Sequence, residues 1–202
     1  EPSRQPSHHH GLLPYTLLSL WIGSMSLFIV KNYKSGPWPA SFLLLTNRDI
    51  WRLLHDVCSM LFGGTIVIST IVEWLVVASH NNQVMKFWFE KVPTLDGAVV
   101  LPSLTVTILS GMAQASQDYG SIEEAPPYIK GSLHVLLTFA VWWVVTDIFT
   151  QRATQHAIQT ENDTSLQRVL RRRKWSNVGS CLFVSALYTL MAYKPGHDAK
   201  EK

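Results

Sequence analysis

Charge is what this chain has least of. Asp, Glu, Lys and Arg make up 15% of its 202 residues, hydrophobic residues 47%, and the mean hydropathy is +0.12. Soluble domains carry about 25% charged residues, so an ordinary water-soluble fold is not expected and a membrane chain is. Cysteine is nearly missing as well: Cys58 and Cys181 are the whole complement. The spans assigned below place them toward opposite membrane faces, which argues against a disulfide. No phosphate-cradling glycine loop, nucleophile elbow, paired CxxC or HExxH is present, so no familiar catalytic signature points to an enzyme. The net charge of +3 comes largely from one basic cluster near Arg171. It is not a nucleic-acid footprint, and no nucleic-acid partner is expected.

What the chain does have is long apolar runs. Residues 50–80, IWRLLHDVCSMLFGGTIVISTIVEWLVVASH, join such a run to a histidine at its mouth, and from 57 to 79 only Glu73 carries a formal charge. At 1.5 Å per residue this stretch crosses the roughly 30 Å hydrocarbon core of a bilayer. Four further runs of this kind sit at about 12–30, 94–115, 131–150 and 175–193. The fold expected is therefore all-α, a polytopic membrane helix bundle of about five transmembrane helices. It is a four-helix core over 50–195 preceded by one N-terminal span, with polar tails at 1–11 and 196–202. Pro14, Ser19, Gly23, Ser24 and Ser26 dilute the first run, which leaves a retained signal anchor or an interfacial helix open for it. The chain does not begin with Met, which is read as a removed targeting segment or a start inside a longer chain.

The connections have their own signals. Lys86 and Lys91 lie in a short polar loop that leads through Pro93 to the third span. SQDYGSIEEAPPYIK is acidic, lies in water, and turns at Pro126-Pro127. A short apolar run at 42–45 precedes the second span. Ser59 with Gly63 and Gly64, and Ser110 with Gly111 and Ala115, form small-residue patterns that let helices approach closely. His8-His9-His10 has no scaffold to set metal geometry. Arg171-Arg172-Arg173-Lys174 abuts the last span and is read as contacting anionic lipid head groups. Lys and Arg divide almost evenly between the two sides, so only this dense cluster favours the N-terminal side as cytoplasmic or its organellar equivalent.

Ionisable groups inside spans call for an explanation. His55 opens the second span and His134 lies about one turn into the fourth, so both imidazoles sit at similar depth. Paired histidines on separate helices suit axial ligation of haem b, or single ligation of two chlorophyll magnesium atoms. The competing reading is a hydrogen bond from each imidazole to a backbone carbonyl or, for His55, to Asp56. Glu73, Asp96 and Asp147 fall near the opposite side, with Lys91 and Arg152 as candidate ion-pair partners. A structural ion-pair network and a proton or substrate path remain open for that group.

Trp51-Arg52-Leu53-Leu54-His55 followed by Phe62-Gly63-Gly64, and Arg173-Lys174-Trp175-Ser176-Asn177 closing at Lys194-Pro195, carry a resemblance. Residues 50–195 resemble the four-helix membrane core of the HemJ-type protoporphyrinogen oxidases, the copper-resistance D membrane domain and a related uncharacterised integral membrane family. The resemblance implies a haem-associated role for His55. At Tyr128-Ile129-Lys130-Gly131-Ser132-Leu133 the HemJ type has an aromatic, a histidine and a functional lysine; here Lys130 takes the histidine's place and Ser132 the lysine's. That departure speaks against oxidase chemistry.

Three functions follow. The favoured one is a non-catalytic integral membrane subunit, a scaffold within a larger photosynthetic or respiratory complex, in contact with other membrane subunits and possessing room for a tetrapyrrole. A HemJ-like haem-binding oxidoreductase and a transporter working through the intramembrane carboxylates are the alternatives. An integral location is expected, with a bacterial inner membrane and an organellar membrane equally compatible.

Overall fold

In the computed structural model the described residues, 13–33, 47–160 and 163–194, form five helices and no strand. They are α1 (Leu13–Asn32), α2 (Arg48–Ala78), α3 (Asn82–Tyr119), α4 (Pro127–Gln159) and α5 (Asp163–Tyr193). The tails at 1–11 and 196–202, including His8-His9-His10, and the run at 42–45 lie outside the described residues. Helices α2, α3 and α4 are long and apolar enough to cross a membrane. Helix α5 is less apolar because Arg173, Ser176, Asn177 and Ser180 occupy its buried face. Helix α1 lies against α3, where Trp21 Nε1 donates to Thr105 Oγ1 at 2.9 Å.

The helices run well past the spans read from the sequence. α3 begins at Asn82, with the Asn81 side chain accepting from the Gln83 and Val84 amides, and passes through Pro93 without a break. Proline removes the donor for the carbonyl four residues back. That carbonyl belongs to Phe89, and Gln155 Nε2 of α4 supplies a replacement at 2.6 Å. A π turn, Asp96–Val100, then separates Pro93 from Pro102. α4 has a second π turn at Val144–Ile148 and continues through the polar stretch to Gln159. Those polar turns stay helical because they are amphipathic. Val76, Met85 and Phe89 form a small core with Trp88, Ile158, Leu166 and Leu170, so the helix ends cover one another. With 38 residues, α3 is about 57 Å long and projects beyond the bilayer.

The acidic connection between α3 and α4 is less exposed than its composition suggests. Gly120, at φ 83°, turns the chain out of α3. Ile122 and Ala125 then tuck into the main core, and the Glu123 amide donates to the Tyr33 carbonyl at 3.3 Å. The apolar residues among its carboxylates decide its position.

The main core holds Phe62 and Ile66 of α2, Leu104, Ile108 and Met112 of α3, Leu136, Phe139 and Trp143 of α4, and Val184 of α5. Leu53, Leu61, Ile68 and Leu75, spaced about two turns apart on α2, are exposed and form an apolar stripe turned away from the core. Small residues set the closest helix approaches inside the chain. The Ser59–Gly63 pattern receives Tyr188 of α5, whose Oη donates to the Ser59 carbonyl at 2.8 Å. A Cβ on Gly179 would lie 2.5 Å from the Trp142 ring, whereas one on Gly64 would meet nothing within 4 Å. Gly179→Ala is expected to cost about 1–3 kcal/mol through overpacking. Gly64→Ala should be neutral or stabilising by up to about 1 kcal/mol. Thermal unfolding of both variants in detergent checks the contrast.

Candidate functional site

The polar residues of the bundle gather at two levels. At one end, where α2 finishes and α5 begins, Arg173 is 2% exposed and enclosed by acceptors. Its Nε donates to Glu73 Oε2 of α2 at 2.7 Å, and its Nη1 lies 3.3 Å from both Asp147 Oδ1 and the Asp147 carbonyl of α4. Asn177 Nδ2, one turn along α5, donates to the other Glu73 oxygen at 2.9 Å. The Phe89 ring of α3 covers the guanidinium at 5.4 Å. Asp96 completes the group beside Gln151, and a cavity of about 20 Å³ lies among Glu73, Asp96, Asp147, Arg173 and Asn177. That is room for about one water. Each π turn contains a carboxylate of this cluster, Asp96 in the first and Asp147 in the second, and in the second the Arg173 side chain enters the helix ladder.

The expected gathering of Glu73, Asp96 and Asp147 is thus observed, but the cation at its centre differs. Lys91 and Arg152 are exposed on α3 and α4, and Arg173 supplies the buried positive charge. Arg173 therefore departs from the cluster expected to meet lipid head groups, whose other members Arg171, Arg172 and Lys174 are exposed. Helical periodicity explains the difference: Arg173, Ser176, Asn177, Ser180 and Val184 recur on one face, and that face is buried.

At the opposite end α2, α3, α4 and α5 part around a cavity of about 760 Å³, within the size range of small-molecule and cofactor sites. Phe62, Ile108, Met112, Leu136, Val184 and Leu187 line it with apolar surface. Phe62 packs edge-on against Phe139 at 5.3 Å, and Phe139 against Phe183 at 6.0 Å, which closes the floor. Arg48, Arg52, Asp118 and Lys194 stand at the rim, with Arg48 and Asp118 paired at 2.9 Å.

His55 lines this cavity, one turn below Arg52. Its Nδ1 lies 3.0 Å from the Thr107 carbonyl. A carbonyl only accepts, so Nδ1 carries the proton and Nε2 keeps its lone pair. Among the described residues no partner meets Nε2. Gly111 makes the fit possible, since a Cβ there would lie 2.9 Å from His55 Cε1. Thr107 also lines the wall, with its Oγ1 buried and without a hydrogen-bond partner among the described residues.

His134 does not share this site. It is exposed, its Nδ1 lies 2.6 Å from the Lys130 carbonyl, and it does not line the cavity. Ser132 does, and two residues correspond to about 200° around a helix, so matched depth failed to give a matched face. The Ser132 hydroxyl donates to the Tyr128 carbonyl at 2.8 Å, leaving no amine where the HemJ type has lysine. Tyr119 and Tyr128, hydrogen-bonded to each other, also line the cavity; Tyr128 was read from the sequence only as part of the HemJ-like stretch, and Tyr119 was not singled out. Their positions at the end of α3 and the start of α4 were the available signal.

The family model DUF2269, described as a predicted integral membrane protein, matches residues 49–195. The chain belongs to this family. No curated protein and no solved structure matches the chain. The DUF2269 match covers His55, the cavity walls and the whole Arg173 cluster, and leaves α1 outside. Among the resemblances drawn from the sequence, it supports the integral membrane family, not the HemJ type or copper-resistance D specifically. It also fixes an integral membrane location and contact with the lipid bilayer.

Removing Arg173 would strand Glu73 and Asp147 in a buried site. Arg173→Ala is expected to destabilise the bundle by about 3–5 kcal/mol, and Arg171→Ala by less than about 0.5 kcal/mol. Denaturation of the two variants in mixed micelles checks the expectation; similar losses would contradict it.

Proposed function

We propose that this DUF2269 chain is a non-catalytic integral membrane subunit that holds a tetrapyrrole, haem b or chlorophyll, in the cavity around His55. The supporting observation is His55 itself: Nδ1 is committed to the Thr107 carbonyl and Nε2 is free on an apolar-walled cavity of about 760 Å³. A metal-ligating imidazole is commonly oriented by such a bond from its other nitrogen, which fixes the tautomer. One histidine faces the cavity, so the reading is single ligation by His55 in place of a His55–His134 pair. When bound, a tetrapyrrole would supply light absorption or one-electron chemistry. The chain's own part is to ligate, orient and keep water from the ring face.

Ser132 in place of the HemJ lysine favours holding over oxidase chemistry. Transport through the carboxylates has less support, because Glu73 and Asp147 are already engaged by Arg173 and Asn177. Membership of a larger photosynthetic or respiratory assembly with other membrane subunits belongs to the same proposal. Gly63, Gly111 and Gly179 are consumed by contacts within the chain, so those partners would meet the exposed apolar stripe of α2 instead.

Absorption spectra of the protein purified in mild detergent and titrated with haem b test the reading. The expected result is a Soret band that saturates at one haem per chain, is lost in His55→Ala, and weakens in Gly111→Ala. His134→Ala should leave it unchanged. A wild-type protein without a saturable band would overturn the proposal.

A further inference from the structure

The rim of the large cavity carries more specific information than its walls. Arg48, Arg52 and Lys194 all border it, and the acidic residues there are Asp56 and Asp118. Asp118 is engaged by Arg48 at 2.9 Å. Among the described residues neither Arg52 nor Lys194 has an ion-pair partner. Arg52 stands three residues before His55 on the same face of α2, one turn nearer the mouth. Lys194 ends α5 with a left-handed backbone, φ 42°, and borders the same opening.

Along α2 the lining thus runs from the cation Arg52 through His55, with Asp56 and Ser59 beside it, to the aromatic floor at Phe62. An occupant that satisfies all three levels is apolar over most of its body and anionic at one edge. Guanidinium and ammonium groups at the mouth of the cavity favour carboxylates, which Arg binds through paired hydrogen bonds.

We infer that Arg52 and Lys194 form a carboxylate-reading rim, so the occupant is a free-acid tetrapyrrole oriented with its carboxylate edge at the mouth. This rests on the His55 reading above and adds the ligand's ionisation class and direction of entry. It selects haem b over chlorophyll, whose side-chain carboxyls are esterified. The Arg48–Asp118 pair narrows the entrance without competing for the carboxylates.

The test compares haem b with its dimethyl ester, titrated into the wild-type protein, Arg52→Gln, Lys194→Gln and Arg171→Gln, all in nanodiscs of zwitterionic lipid. Wild type is expected to bind the diacid about 10-fold more tightly than the ester. Each rim variant should lose about 3- to 10-fold of diacid affinity and little ester affinity, whereas Arg171→Gln at the far end matches wild type. Equal wild-type affinity for diacid and ester would overturn the rim while leaving His55 ligation intact, and this comparison needs no variant. Binding of neither compound would overturn both readings. If anionic lipid in the disc abolishes the diacid preference, the rim is a phospholipid head-group site and the inference fails.

Discussion

A guanidinium out of water needs acceptors on every side, and the way Arg173 finds them sets the arrangement of the bundle. Its side chain, 3% exposed, takes Glu73 from α2 and both the carboxylate and the carbonyl of Asp147 from α4, with Phe89 of α3 over its face. A slip of one residue in α5 would move it by 1.5 Å and rotate it by about 100°, breaking all of these contacts at once. Replacing such a group by hydrophobic side chains can leave stability unchanged or higher. Its contribution here is register: α2, α4 and α5 have one relative position in which the buried charge is satisfied. The π turns follow from the same demand. One exposes the Asp147 carbonyl to Arg173, and the other brings Asp96 to the cluster after Pro93 has interrupted the ladder.

The helix order and the grouping of Glu73, Asp96 and Asp147 were legible because apolar runs and buried charge are strong one-dimensional signals; of the five spans expected, three helices, α2, α3 and α4, are long and apolar enough to cross a membrane. Helix ends were not. Pro93 looks like a boundary in sequence, and only the three-dimensional neighbour Gln155, 62 positions later, supplies the donor that lets α3 continue. Arg173 was hidden differently. In a run of four cations every member looks alike, and the distinguishing information is the stripe of Ser176, Asn177 and Ser180 that follows at helical spacing. Exposed cations and a core ion pair thus occupy adjacent positions of one short segment, separated only by helix phase.

Phase also decided between the histidines. Depth in the membrane can be read from position within a span, but azimuth requires knowing which face is buried, and α4 is amphipathic only weakly across residues 131–143 because most of its residues there are apolar. His55 had a usable partner signal in Gly111, which offers the close approach an imidazole needs. His134 sits instead two residues from the cavity-lining Ser132 and bonds its own helix.

The two ends of the bundle are physically linked by what lies between them. Phe62, Phe139 and Phe183 close the floor of the cavity and Trp143 lies beyond, lining the small polar cavity beside Asp147. The aromatic layer stands between the large cavity and the Arg173 cluster, and the cluster in turn fixes the helices that carry the aromatic layer. A bundle pinned at one end can tolerate a wide opening at the other, since the cavity walls need not supply the contacts that define register. That division explains how a chain with so few charged residues holds both cavities: the buried charges sit where the helices converge, and the wider cavity opens at the other end.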